Sequence, residues 1–473
     1  MRGLTAAAIA RAVKGKIYRY EKEGWTEVRE DGGPEAASVV TDSKKVEPGS
    51  LFAAIRGQRT DGHHYIAQCV RDGAGMILAE KLPEEALPVP VICTEDTLRA
   101  LRDLAEYYLA VLDIPTVGII GSVGKTSTKE AAASVLSQKY HILKTEGNFN
   151  NELGVPLTVF RLREEHEMAV LEMGINHFGE MTRLARIVRP RTVIMTNIGF
   201  SHIEFLGSQE GILRAKSEVF AYLAEDGCAV LNADDPLLAS LADRGEFRKV
   251  FYGIGPGDPS LPRQVWADQI EPLGFQGSRC MLHTPDDVFP VTIPMPGRHN
   301  VSNTLAAAAA GWVWHLTPEQ ICEGIRLTGT LEGRFHVLRT DRLTIIDDCY
   351  NASPASMEAS LDLLRDVSGR KAALLGDMGE LGPESSRLHE EVGAFAASEG
   401  RCDVLYCVGE DSRRMAEAAT ARNASLPVKW YPDLDSLLAE KDSLFHPGDT
   451  VLVKASHFMH FEKAVQSPAE KKE

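Results

Sequence analysis

No Cys-x-x-Cys pair occurs among the eight cysteines, at positions 69, 93, 228, 280, 322, 349, 402 and 407. The common zinc spacings are therefore missing. The scatter of these residues through apolar runs such as Cys228-Ala-Val-Leu predicts reduced, packed thiols in a reducing compartment. No apolar stretch approaches the length of a membrane span. The N-terminal apolar stretch is interrupted by Arg11 and Lys14 before it could serve as a signal peptide, and an amphipathic first helix is expected instead. Positive charge is also short, with 51 Lys and Arg against 67 Asp and Glu, a formal net charge of −16. That argues against a nucleic-acid binder, which needs a basic surface. It leaves room for small anionic substrates, because a local cluster of Lys, Arg and helix N-termini can hold phosphate inside an acidic protein. Short repeats and low-complexity tracts are absent.

What is present is a 473-residue chain with 44% hydrophobic and 25% charged residues, an ordinary globular mixture long enough for about three domains. The patterns predict an α/β protein. Residues 1–97 read as a small α/β domain, with a strand pair from Lys16 to Glu30, a turn at Glu30-Asp-Gly-Gly, and a strand–polar loop–strand unit from Val39. Residues 98–329 open with an amphipathic helix, Leu98 to Leu112. Buried strands follow at 116–120, 169–171, 192–195, 229–231 and 250–252, then added strands within 263–296 and an Ala-rich helix from Asn300 to Trp314. Alternation of strand and helix implies a parallel sheet with helices on both faces. The pattern restarts in residues 330–473, with strands at 343–346, 372–375, 404–407, 428–430 and 450–453, as a Rossmann-like doubly wound domain.

The string Gly121-Ser-Val-Gly-Lys-Thr-Ser follows a buried strand and opens a helix, the position of a phosphate cradle. Glycines let backbone N–H groups turn inward, and the helix N-terminus adds positive potential. Lys125 can reach terminal phosphates and Thr126 can ligate Mg²⁺. Ile119 stands where the strict P-loop pattern has glycine, so this is a variant loop.

Glu172 and His202 each sit just past the end of a strand, the edge at which ligands bind in open α/β sheets. Each could ligate a metal; equally, Glu172 could support a helix cap and His202 be a satisfied loop histidine. Lys216 falls on the apolar stripe of a helix expected from Ser208 to Leu223, four residues from Ile212 and from Phe220. It either snorkels past the core or is buried with a lowered pKa. Spacing alone favours the snorkel.

Longer strings carry a resemblance. Thr145-Glu-Gly-Asn-Phe-Asn-Asn-Glu-Leu-Gly-Val-Pro-Leu-Thr, Leu171-Glu-Met-Gly-Ile-Asn-His-Phe-Gly-Glu, Ile346-Asp-Asp-Cys-Tyr-Asn-Ala-Ser-Pro, Leu375-Gly-Asp-Met-Gly-Glu-Leu-Gly and Leu388-His-Glu-Glu-Val-Gly resemble the Mur ligases, and the likeness runs along nearly the whole chain. Within that family they resemble the members that couple D-alanyl-D-alanine to UDP-N-acetylmuramoyl-tripeptide. The resemblance implies a monomeric cytoplasmic ligase with a UDP-binding N-terminal domain, a central ATPase-like domain and a C-terminal ligase domain. It implies that Gly121, Ser122, Val123, Gly124, Lys125, Thr126 and Ser127 hold ATP, with Asn300 and Asn303 near the adenine. Arg334 would reach the γ-phosphate, and Asp347, Asp348, Tyr350 and Asn351 would close on the nucleotide. Two Mg²⁺ ions would be held by Thr126, Glu172, His202 and a carbamylated Lys216, leaving Lys125, His202, Lys216 and Arg334 as the catalytic set. Ser43 and Lys44 would bind the UDP part, and Asn148, Asn150, Asn151 and Asn176 the substrates. The implied chemistry is phosphorylation of the peptide carboxylate followed by attack of the dipeptide amine.

Three departures stand out. Lys44 replaces the usual Arg, Ser353-Pro354 replaces Asn-Pro, and Val453-Lys-Ala-Ser-His-Phe-Met departs from the usual Lys-Gly-Ser-Arg near the dipeptide site. The rival readings are a family ligase using a different amine, a generic nucleotide hydrolase, and a non-catalytic nucleotide-binding scaffold. The joint presence of Lys125, Glu172, His202, Lys216 and Arg334 argues against the scaffold.

Overall fold

The structure, a computed structural model, describes residues 1–22, 24–29, 33–57, 60–329, 333–365, 367–398 and 400–469. The described residues build three sheets, each with helices packed on it. The first has six strands in the order Gly24–Val28, Lys16–Glu21, Val91–Cys93, Met76–Ala79, Leu51–Ala53, Val39–Val40. Its last four strands are parallel, and the Lys16–Glu21 strand joins them antiparallel. The expected strand pair is this hairpin, while residues 30–32 of the expected turn lie outside the described residues.

The central sheet has nine strands: Val288–Ile293, Ser278–His283, Val265–Pro272, Arg248–Ile254, Cys228–Asn232, Thr192–Met195, Thr116–Ile120, Met168–Glu172, Ile142–Lys144. Seven are parallel, and the two at 278–293 run antiparallel at one edge. The middle strands are buried along their whole length, which is why they read as continuous apolar runs. From Thr116–Ile120 the chain goes to one side for 142–172 and returns on the other for 192–195. The switch point therefore lies where the phosphate loop starts. The helix Arg298–Val313 packs against the phosphate-loop helix Lys125–Leu136, and its Ala306 to Gly311 run is buried. Close approach explains the small residues: a Cβ on Gly311 would stand 2.8 Å from the Val135 side chain.

The third sheet runs His336–Arg339, Thr344–Asp347, Thr450–Lys454, Lys371–Gly376, Val404–Val408, Val428–Tyr431, parallel except for its first strand. The expected boundary at 329/330 falls on residues 330–332, outside the described residues. At the other boundary the helix Thr97–Leu112 belongs to both neighbours. It packs on the first helix, Ala6–Val13, and on the central helices Gly154–Val159 and Glu180–Val188. Tyr108 donates to the Leu162 carbonyl at 2.8 Å, and Arg102 pairs with Glu152 at 2.5 Å.

The helix expected from Ser208 to Leu223 is α-helical only over Gln209–Ser217 and continues as a 3₁₀ turn over Glu218–Tyr222.

Candidate functional site

The phosphate loop is shaped by its glycines and pinned by the next strand's end. Gly121 has φ +145° and Gly124 φ +84°; a Cβ on either would collide with Thr196 Oγ1 at 1.9 Å or Asn303 Oδ1 at 2.6 Å. Asn197, just past the Thr192–Met195 strand, accepts from Val123 N at 2.9 Å and Ser122 N at 3.0 Å, and donates to the Val123 carbonyl at 3.0 Å. Lys125 Nζ donates to the Gly121 and Ser122 carbonyls at 2.9 and 3.0 Å. Burial lowers its pKa, Glu172 opposes that, and Arg334 adds to it. The asparagines expected near the adenine lie in the first two turns of the Arg298–Val313 helix. Asn303 accepts from Thr128 and donates to Asn300, which donates to the Pro296 carbonyl.

Glu172 is buried at the end of its strand and ties two elements together. Its carboxylate accepts from Thr126 Oγ1 at 2.9 Å and from Asn150 Nδ2 at 2.8 Å. A hydroxyl and a carboxylate converging beside a phosphate cradle suit Mg²⁺, a hard cation that prefers oxygen. His202 lines the same cavity in a left-handed conformation (φ +65°), its Nδ1 against the carboxylate of Glu380 from the third domain.

Lys216 does not snorkel. It is 1% exposed, and its Nζ donates to the Gly121 carbonyl at 3.0 Å, the oxygen that Lys125 also uses. The helix points it inward beneath the phosphate loop, so the snorkel reading is overturned. Its pKa is driven well below the ordinary lysine value, first by burial and then by the neighbouring Lys125.

The third domain supplies the opposite wall. Arg334 stacks over the Tyr350 ring at 4.2 Å. Asp348 accepts from Phe335 N at 3.1 Å, from Ser360 Oγ at 2.5 Å and from Lys454 Nζ at 2.6 Å; Lys454 also donates to the Asn351 carbonyl at 3.1 Å. Together the two walls enclose about 860 Å³, lined by Ser122 to Ser127, Glu172, His202, Asn300, Asn303, Arg334, Asp348, Tyr350 and Asn351, with Asn148, Asn150, Asn151 and Asn176 at one side. Three expected members are not among the lining residues. Lys216 lies behind the loop, bonded to the carbonyl of Gly121 at the loop's start. Asp347 turns its carboxylate to Gly333 N and the Cys349 thiol.

Nor do Ser43 and Lys44 reach this cavity. They lie on the turn Ser43–Lys45, and Lys44 and Lys45 face Arg161 and Arg163 across a second groove of about 610 Å³. Sequence reasoning missed Lys454, Asn197 and His299. Lys454 ends an otherwise apolar strand at the sheet's carboxyl edge, a signal that was legible. His299 lines the cavity with its imidazole pushed down to about 4 by burial; it stands next to Asn300, the residue expected near the adenine, and that neighbourhood was its signal. Two of the three departures fall at the site as well: Ser353 lines the cavity, and His457 lies beside Tyr350, ring centroids 5.8 Å apart.

Comparison with known proteins matches residues 35–108 to the Mur ligase family catalytic domain, 119–311 to the Mur ligase middle domain and 333–457 to the Mur ligase glutamate ligase domain. The chain is 36% identical to the UDP-N-acetylmuramoyl-tripeptide--D-alanyl-D-alanine ligase of Bacillus subtilis, covering 90% of this chain and 92% of that protein. It is 33% identical to the Escherichia coli enzyme of the same name, covering 91% and 93%. Among solved structures, MurF from Acinetobacter baumannii superposes with a TM-score of 0.86 at 30% identity, covering 99% of both chains. MurF from Thermotoga maritima in complex with ADP does so at 0.79 and 28%, covering 91% and 96%.

Proposed function

The chain belongs to the Mur ligase family, and on that premise we propose how its residues carry out the reaction. It is an ATP-dependent ligase that adds D-alanyl-D-alanine to UDP-N-acetylmuramoyl-tripeptide in peptidoglycan precursor synthesis. The observation that carries the mechanism is the convergence of Lys125, Glu172 and Asn150 from the central domain with Arg334 and Tyr350 from the third domain on one cavity.

ATP phosphorylates the tripeptide's terminal carboxylate. Lys125 and the loop N–H groups hold the terminal phosphates, and the Arg334 guanidinium meets the phosphoryl group as it moves between acceptors. The dipeptide amine then attacks the acyl phosphate through a tetrahedral intermediate and displaces phosphate. Third-domain groups in the cavity wall, Asp348 fixed by Lys454 and Tyr350 under Arg334, would keep water from the acyl phosphate. Thr126, Glu172 and His202 would hold Mg²⁺, whose charge offsets that of the transferring phosphoryl group. The buried amine of Lys216 favours its neutral form, which can add to CO₂ and lose a proton to give a carbamate, an anionic group able to support a second ion.

Residues 1–97 would take the UDP-sugar part, with Lys44, Lys45, Arg161 and Arg163 giving the second groove the charge a pyrophosphate needs. Residues 98–329 would bind ATP and residues 330–473 the incoming dipeptide. Six of the eight cysteines are buried as free thiols, which supports a cytoplasmic location. No helix among the described residues is long and apolar enough to cross a membrane.

The test is phosphate release from Mg²⁺-ATP with UDP-N-acetylmuramoyl-tripeptide, with and without D-alanyl-D-alanine. Release requiring both, with a pentapeptide product by mass, is expected. Release that requires a different amine overturns the dipeptide assignment, and release without any acceptor overturns the ligase.

A further inference from the structure

One buried charge has no part in the mechanism above. Lys129 lies on the phosphate-loop helix, four residues after Lys125 and so on the same face, and is 1% exposed. An apolar side chain would fill that position without the desolvation a cation suffers, and buried charges persist where they are paired and hold something in place. Lys129 pairs with Glu130 at 2.9 Å and donates to the Thr145 carbonyl at 2.7 Å. Glu130 also pairs with Lys144 at the end of the edge strand Ile142–Lys144.

Thr145 is where this contact becomes functional. It is fully buried, and its N–H donates to the Val170 carbonyl at 3.0 Å. Its hydroxyl accepts from the backbone N–H of Glu172 at 3.0 Å. From Thr145 the chain forms the loop that carries Asn148, Asn150 and Asn151 to the cavity. Asn150 returns to Glu172 through its side chain, and its carbonyl accepts from Gly174 N at 2.8 Å. The far end is fixed too. Asn151 Oδ1 accepts from Gly154 N at 2.8 Å, and a Cβ on Gly154 would stand 2.4 Å from the Phe149 backbone. The asparagine loop is thus clamped at both ends, and the clamp at its entry is a side chain of the ATP-binding helix.

We infer that Lys129 is a positioning residue that fixes the asparagine loop to the phosphate-loop helix, and thereby sets affinity for the acyl acceptor separately from affinity for nucleotide. The inference rests on the ligase reading, in which that loop meets UDP-N-acetylmuramoyl-tripeptide. Lys129 acts through the Thr145 carbonyl and touches no reactant.

The experiment measures equilibrium binding of UDP-N-acetylmuramoyl-tripeptide and of ADP to the full chain and to Lys129→Met. The acceptor Kd is expected to rise about tenfold or more, the worth of one hydrogen bond from a charged donor, with the ADP Kd unchanged. Lys129→Arg, which keeps a cationic donor, is expected to recover part of the loss. If the wild-type chain fails to bind the acceptor, the ligase reading fails. If it binds and Lys129→Met changes neither constant, or both by the same factor, the positioning role is wrong. Should Lys129→Met not fold, Lys129→Gln keeps a polar side chain at that position and removes the charged donor to the Thr145 carbonyl. The same split between acceptor and ADP supports the inference, and its absence overturns it.

Discussion

Lys216 and Lys454 are buried to nearly the same degree, one behind the central-domain wall of the cavity and one in its third-domain wall, yet they are built for opposite ends. Lys454 faces a carboxylate: Asp348 stands 2.6 Å away, and backbone carbonyls of Asp348 and Asn351 take further bonds. Lys216 faces a carbonyl oxygen and, nearby, another cation. Burial with a countercharge gives a fixed ammonium that organises a loop. Burial without one favours the neutral amine, which is a nucleophile. The lesson is that depth alone does not set a lysine's chemistry; the partner does.

The comparison can be broken in four ways, at three positions. Lys454→Met should leave Asp348 unpaired and destabilise the third domain by about 3–5 kcal/mol, the range for breaking a buried pair. Denaturant unfolding would read it, and the double variant with Asp348→Asn should recover part of the loss. Lys216→Ala should lower ligase turnover by about 100-fold or more, comparable to deleting one transition-state charge contact. A short-chain carboxylate added to the assay should restore part of it; full activity without that addition would discard the carbamate. Arg334→Lys keeps charge but loses the planar fork over Tyr350, and a fall of about tenfold in kcat is expected.

The smallest signal is a slope. The folded chain disfavours protonated Lys216 and the unfolded chain does not, so between the depressed folded value and 10.5 unfolding takes up a proton and stability rises with pH. Lys216→Met should therefore be more stable than the native chain, with the gap narrowing as pH climbs toward 10.5. A gap that widens with pH would mean that Lys216 is held charged.

Much of this was legible in the residues. The strands Thr116–Ile120 and Thr192–Met195 were placed to the residue, because continuous apolar runs between polar turns leave little choice of register. The phosphate loop was placed by the strand before it and the helix after it. The three-residue strand Ile142–Lys144 was missed, since it is short and half-exposed at a sheet edge. So was His336–Arg339, an antiparallel edge strand with no residue fully buried and no inside-outside alternation. Lys216 was placed on the right helix face, but periodicity names a face and not a depth. The Asp348–Lys454 pair spans 106 positions, and no local pattern reports a partner so distant.

The helix Thr97–Leu112, shared between the first two sheets, bears on how the chain comes apart. A cut at residue 97 would strip the Ala6–Val13 helix of its partner and expose the buried positions Leu101, Leu104 and Tyr108. The N-terminal sheet and the central sheet are therefore expected to melt in one transition by calorimetry, and an excised N-terminal fragment is expected to keep its fold only if it carries this helix to Leu112.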